Sequence, residues 1–232
     1  MAGETAQLSA RWRTMSVATG VAGLAGLVLV FTSQALVQVG GGEPAFDASA
    51  DEILRFLEAR HDTLYAVGSF LGVLAVLALA WFLAGVSVML REAEGRPAWR
   101  SAAALTSGIA FVVLVMSPGW DLAAFRVDDG VDPQIARYAF DMGNFGFATS
   151  WVALAGFLFA AGWIFLSAHQ LPNWLGWFAV VAAAGFLIGR AFWTTNIWLI
   201  PYTLFWIWLV AVSIQLFRGR LVGGPAEPPL PD

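Results

Sequence analysis

Long apolar runs, separated by short polar stretches, are the dominant pattern of this chain. Each run approaches or exceeds the ~20 residues that a helix needs to cross ~30 Å of hydrocarbon. Lipid offers no hydrogen-bond partners, so these runs are predicted to be helices rather than open strands. The predicted spans are residues 15–39, 63–90, 101–120, 144–168, 174–192 and 197–217. The fold class is therefore all-α, a polytopic membrane bundle of six transmembrane helices.

The flanks of the predicted transmembrane domain, residues 15–217, are polar. We expect 1–14 to form a cytoplasmic N-terminus and the proline-rich 218–232 to form a disordered cytoplasmic tail. A signal peptide is the alternative for the first run, since Arg11 and Arg13 precede it and Ser33 and Ala35 have cleavage-like spacing. The run exceeds the roughly 7–15 residues of a signal-peptide core, so we expect it to be retained.

Two loops carry signals for short amphipathic helices outside the membrane. In the first, Ser49 and Glu52 form a capping-box pattern that precedes the apolar Ile53. In the second, Asp132 is suited to cap a helix whose first position is Pro133. We therefore predict one such helix in each loop, before the second and the fourth span.

The distribution of charge predicts the orientation. With a cytoplasmic N-terminus, seven of the twelve basic residues, all arginine, lie at the inner side and five at the outer side. Six spans then leave both termini inside. The absence of lysine, with abundant Ala, Gly and Val, suggests a GC-rich bacterial genome. The predicted location is the bacterial plasma membrane, with the lipid bilayer as the surroundings.

Composition excludes several classes of protein. At 59% hydrophobic and 12% charged residues, the chain lacks the polar surface of a soluble domain. It has no cysteine, which excludes disulfides, thiolate nucleophiles and cysteine-bound metals. The one basic patch, 91–100, contains Glu92 and Glu94, so it suits anionic lipid headgroups better than nucleic acid, and no nucleic-acid partner is expected.

Arg190 lies inside an apolar run. It follows Trp174, at the inner interface, by about 24 Å of helix, which leaves it about 6 Å below the outer edge of the hydrocarbon. An arginine at this depth can extend to the headgroups, so the alternative is a simple anchor. Polar residues of other spans share its level, and we expect Asp121 to pair with it. The predicted ligand-binding mouth consists of Arg190, Asp121, Asp141, Asn144 and His61.

The chemistry available to this set is narrow. His61 and His169 are predicted on opposite faces of the membrane, which leaves no zinc, di-iron or bis-histidine haem site. A metal held by His61, Asp62, Asp121 and Asp141 stays open as an alternative. No nucleophile motif such as G-x-S-x-G is present. No catalytic residue and no cofactor are therefore predicted.

Small residues recur at four-residue spacing in two spans. Ala18, Ala22 and Gly26 lie in the first, and Gly185 and Gly189 lie in the fifth. Such rows let helix backbones approach closely. We expect them to pack within the chain, and self-association to a homo-oligomer is the alternative.

One turn carries a resemblance to known proteins. Leu171, Pro172, Leu175 and Gly176 form a tight L-P-x-x-L-G connection between two spans, in a chain with acidic outer loops. It resembles the small six-helix bacterial membrane proteins, many of them actinobacterial, that are grouped under domain-of-unknown-function headings. Asn173 stands where that group usually has a basic residue. The resemblance implies the fold and no catalytic residues.

Three functional classes follow in order. The first is a non-enzymatic bundle whose outward mouth binds a lipid-like or small anionic ligand, or a partner membrane protein. A small dimeric transporter is the alternative, although the deep parts of the spans are nearly uncharged. A membrane-embedded enzyme comes third, for want of a nucleophile or a metal set.

Overall fold

The described residues of the computed structural model are 2–39, 41–45, 48–59, 63–116, 119–168, 171–219 and 221. Within these ranges the regular elements are all helical. The α-helices are α1 (Ala2–Val37), α2 (Ala50–Glu58), α3 (Thr63–Glu94), α4 (Trp99–Val115), α5 (Gly119–Arg126), α6 (Pro133–Ser167), α7 (Asn173–Ala191) and α8 (Leu199–Phe217). Two 3-10 turns, Val127–Asp129 and Asn196–Trp198, precede α6 and α8.

Five of the described helices are long and apolar enough to cross a membrane: α1, α3, α6, α7, and α8 with its preceding turn. The membrane class predicted from the sequence therefore agrees with the structure. The third predicted span is shorter than expected, because α4 ends at Val115 after 17 residues, about 26 Å. The count of six spans stays a prediction.

The long helices surround a closed core. Along the ring, α1 packs on α3, α3 on α4, α4 on α6, α6 on α7, α7 on α8, and α8 returns to α1. Trp208 of α8 is fully buried, with the rings of Phe82, Phe157 and Phe165 edge-on at 6.3, 6.1 and 6.4 Å. Its Nε1 donates to the carbonyl oxygen of Leu175 at 3.1 Å, so its one polar group is satisfied. This indole joins α3, α6, α7 and α8.

The small-residue row of α1 faces inward with a shift from the predicted positions. Ala22 and Gly26 are buried, whereas Ala18 is exposed. The buried row instead passes through Thr19, which contacts Gly85 of α3. A side chain on Gly85 would collide with Thr19, so this glycine sets how closely α1 and α3 approach.

The second small-residue pair lies against the start of α8. A Cβ placed on Gly185 would lie 2.9 Å from Cβ of Pro201, and one on Gly189 would lie 3.3 Å from Cα of Trp198. The predicted packing within the chain is confirmed for these glycines and for Gly26. The homo-oligomer stays a prediction.

One end of the bundle carries two extra helices, α2 and α5; we call it the capped end. It is the end at which α1, α4 and α7 finish and α3 and α6 begin. Ser49 caps α2, its side chain accepting a hydrogen bond from the backbone N–H of Glu52 at 3.2 Å. A separate hydrophobic cluster forms here from Ala48, Ile53, Phe56, Leu57, Tyr65, Ala123, Ala124, Ala136 and Phe140. The position of α2 outside the membrane stays a prediction.

The second loop helix is not a separate element. Asp132 caps a helix by accepting a hydrogen bond from the backbone N–H of Gln134 at 2.8 Å, and Pro133 is its first residue. That helix is α6, which continues without interruption for 35 residues, about 52 Å. No proline follows Pro133 before Pro172, so nothing breaks the helix between the loop and the fourth span.

The chain ends differ in what the structure describes. Residues 2–14 belong to α1 and continue the first span as helix. At the other end, α8 finishes at Phe217, and residues 222–232 of the predicted tail lie outside the described residues.

Candidate functional site

Four of the five predicted mouth residues are described, and they fall into two groups at the capped end. Arg190, Asp141 and Asn144 belong to the adjoining helices α7 and α6, while Asp121 belongs to α5. His61 lies outside the described residues.

Arg190 lies over an aromatic ring. Its guanidinium carbon is 4.7 Å from the centre of the Phe145 ring, and Phe145 contacts Trp193 edge-on at 5.7 Å. A guanidinium is attracted to the negative face of such a ring. Within the described chain, no carboxylate forms an ion pair with Arg190, which is half-buried. The ring therefore positions the charge without neutralising it.

Asp141 lies one helical turn before Phe145, on the same side of α6. Its Oδ2 is 3.9 Å from Nε of Arg137, at the limit of an ion pair and too long for a hydrogen bond. Although the side chain is 38% exposed, Oδ1 is buried and accepts no hydrogen bond. Asp141 thus brings a carboxylate oxygen without a donor close to the ring that holds Arg190.

Asn144 adds a second polar group to this part of α6. It follows Asp141 by three residues, so the two side chains are neighbours on the helix surface. Asn144 is half-buried, and its amide has no hydrogen-bond partner among the described residues. We call Arg190, Asp141, Asn144 and Phe145 the α6–α7 crevice.

Asp121 has a different environment. Its Oδ1 accepts hydrogen bonds from the hydroxyls of Tyr65, at 3.0 Å, and Ser69, at 2.8 Å. Both donors are on α3, one turn apart, so Asp121 fastens α5 to α3. The expected ion pair with Arg190 is wrong for this structure. The reason is that α5 packs on α6, α2 and the turn after it, whereas α7 packs chiefly on α6 and α8.

Three residues of these two groups were not predicted: Phe145, Tyr65 and Ser69. The signal in each case is a spacing of four. Asp141 with Phe145, and Tyr65 with Ser69, occupy one helix face as i and i+4 pairs. The sequence shows these pairs but not which distant residue faces them.

Apolar side chains continue from the crevice along the surface of α6. Phe145, Val152 and Phe159 repeat every seven residues and are 48%, 46% and 53% exposed. Next to Arg190 on α7, Leu187, Ile188 and Phe192 are exposed as well. A charged group and an apolar strip are therefore adjacent on one surface.

Aromatic residues of α6 and α8 form a row inside the bundle. Trp151 stacks on Trp198 at 5.5 Å, Trp198 meets Tyr202 edge-on at 5.7 Å, and Tyr202 meets Trp206 at 5.6 Å. The Nε1 atoms of Trp151 and Trp206 are buried and donate no hydrogen bond. These tryptophans were predicted as packing residues, and their ring contacts agree with that role.

Among the described residues, no three histidine or acidic side chains gather as a metal site. The alternative metal set relied on His61 and Asp62, which lie outside those residues. Comparison of the chain with protein-family models, curated proteins and solved structures gave no match.

Proposed function

We propose that this chain is a non-enzymatic membrane protein whose α6–α7 crevice binds the acidic head of a lipid-like ligand. The observation that supports it is the state of Arg190, a half-buried arginine placed on Phe145 with no carboxylate partner in the described chain. As part of the proposal, the protein lies in a bacterial plasma membrane with both termini cytoplasmic and the capped end outside.

The chemistry of the guanidinium favours an oxyanion. It offers five N–H donors in a planar fork, which matches a carboxylate or a phosphate with two parallel hydrogen bonds. A cation–π contact uses the face of the guanidinium and leaves its donor edge available. Near the hydrocarbon boundary the effective dielectric is lower than in water, so the same contact is stronger there.

The adjacent apolar strip favours an amphiphile over a small soluble anion. Val152 and Phe159 follow Phe145 down α6 at one-heptad intervals and are exposed. An acyl chain lying along this strip would contact apolar side chains while its head reaches Arg190. Fatty acids and anionic phospholipids share this outline, and the mass of a retained molecule distinguishes them.

Arg126 provides a matched control. It lies at the same capped end, over the ring of Phe125 at 5.4 Å, but it also pairs with Asp129 at 2.9 Å. Native mass spectrometry of the purified protein should show a retained anionic amphiphile that Arg190→Gln loses and Arg126→Gln keeps. Equal retention by both variants, or no retained amphiphile in the parent, would reject the proposal and leave Arg190 as an anchor of α7.

A further inference from the structure

Asp141 raises a question that an acidic ligand alone does not answer. A purely anionic head bound at Arg190 would lie near a second negative charge, the Asp141 carboxylate, whose buried Oδ1 already lacks a donor. Such an oxygen carries a desolvation penalty until a donor reaches it. The nearest charged neighbour that the structure records, Arg137, contacts only Oδ2 and at 3.9 Å.

The spacing of the two charges is set by α6. Asp141 precedes Phe145 by four residues, about 6 Å along the helix axis, and Arg190 lies over the Phe145 ring. The two side chains form no ion pair with each other. A positive and a negative group, each without a full partner and about one turn apart, match a ligand that carries both signs of charge.

We infer that the crevice selects a zwitterionic phosphoethanolamine head, with the phosphate at Arg190 and the ammonium at Asp141. This inference rests on the proposed function. Two carbon atoms separate the phosphate ester oxygen from the nitrogen of such a head, a reach comparable to one helical turn of ~5.4 Å. The Asn144 amide, which has no partner in the described chain, lies beside Asp141 and supplies a further hydrogen bond.

The buried oxygen also selects among zwitterions. An ethanolamine ammonium has three N–H donors, whereas the quaternary nitrogen of choline has none. Because Oδ1 of Asp141 lacks a hydrogen-bond donor, and not only a positive charge, ethanolamine satisfies it and choline does not.

Lipid exchange into the purified full chain, read by native mass spectrometry, tests this selection. Nanodiscs would contain phosphatidylglycerol alone or mixed with phosphatidylethanolamine or phosphatidylcholine. We expect the parent to prefer phosphatidylethanolamine about tenfold over each of the other two, as for a hydrogen bond between charged groups. Asp141→Asn should lose that preference and still bind phosphatidylglycerol, while Asp129→Asn, an exposed acid of the same end, should keep it.

The outcomes separate the two hypotheses. Equal binding of the three lipids by the parent, with Arg190→Gln still abolishing it, would overturn the inference and leave the proposed function intact. Loss of neither lipid in Arg190→Gln would reject the proposed function itself. A preference for phosphatidylethanolamine that survives Asp141→Asn would also overturn the inference.

A second measurement avoids the variant altogether. Stepwise N-methylation of the ethanolamine head removes N–H donors while it keeps the charge, so occupancy of the parent should fall with each methyl group. Unchanged occupancy along this series would overturn the inference. Competition by soluble glycerophosphoethanolamine would support the head chemistry with a soluble source, whereas selection without such competition would support the membrane lipid.

Discussion

Glu94 and Arg100 are joined twice across the turn between α3 and α4. Oε1 of Glu94 accepts hydrogen bonds from the backbone N–H of Arg100 at 3.0 Å and from its Nε at 2.9 Å. Oε2 accepts from the backbone N–H of Ser101 at 2.8 Å. These N–H groups belong to the first turn of α4, where no helical acceptor exists, so Glu94 serves as the cap that Ala98 cannot provide.

Arg100 extends this connection to α6. Its NH1 donates to Oγ of Ser167 at 2.8 Å, and its guanidinium carbon lies 5.6 Å from the centre of the Trp163 ring. One carboxylate and one guanidinium therefore hold together the ends of α3, α4 and α6, opposite the capped end. This use of Arg100 removes it from the basic patch that was predicted to meet headgroups.

Replacement of this carboxylate should be costly. The Glu94 side chain is only 1% exposed, so Glu94→Gln leaves Arg100 and two helix N–H groups with a weaker acceptor. We expect a loss of about 2–4 kcal/mol of stability, because a nearly buried charge loses its partner. Thermal unfolding in detergent measures it, with the exposed Glu92→Gln as control. Equal unfolding temperatures for both variants would contradict this role.

The helices were predictable from the sequence because the length of an apolar run directly reflects the thickness of the bilayer. The extent of α6 was not, since a polar segment such as 133–143 is compatible with either a separate helix or an extension. The shift from Ala18 to Thr19 has a similar cause. Alanine, glycine and threonine are all small, so spacing alone does not tell which row meets α3.

The backbones of α6 and α7 approach closely at Gly162 and Gly176. A Cβ on Gly162 would lie 2.9 Å from the carbonyl oxygen of Gly176, so Gly162→Ala must separate the helices. We expect a destabilisation of about 1–3 kcal/mol. Gly108 of α4 is also buried, but a Cβ there would meet Leu83 at an ordinary 3.4 Å. Thermal unfolding should therefore find Gly108→Ala close to the parent, and equal effects of the two alanines would refute the close approach.

The orientation of the bundle is tested by cysteine labelling, because the chain has no native cysteine. Asp128 is exposed in the turn after α5 at the capped end, and Glu92 is exposed near the opposite end of α3. In intact cells a membrane-impermeant thiol reagent should modify Asp128→Cys and spare Glu92→Cys until the cells are opened. The reversed pattern would place the capped end in the cytoplasm.

The candidate site was only partly predictable for a physical reason. The depth of Arg190, Asp141 and Asn144 follows from residue counts along straight helices, which identifies groups at one level. The partner of each group depends on which helices are neighbours and how each is rotated. Asp121 shows the consequence: its level resembles that of Arg190, yet its hydrogen bonds go to Tyr65 and Ser69.

The partners of Asp121 can be separated by double-mutant cycles. Asp121 shares a hydrogen bond of 3.0 Å with Tyr65, whereas it forms no ion pair with Arg190. Tyr65→Phe and Asp121→Ala should therefore be coupled by about 0.5–2 kcal/mol, since either change alone already removes the shared bond. Arg190→Ala and Asp121→Ala should add within about 0.5 kcal/mol, because the two sites share no partner. Free energies of unfolding in detergent, measured for the parent, the single and the double variants, decide both. A coupling between Asp121 and Arg190 above that limit would restore the ion pair expected from the sequence, and additivity of Tyr65 and Asp121 would remove the contact that fastens α5 to α3.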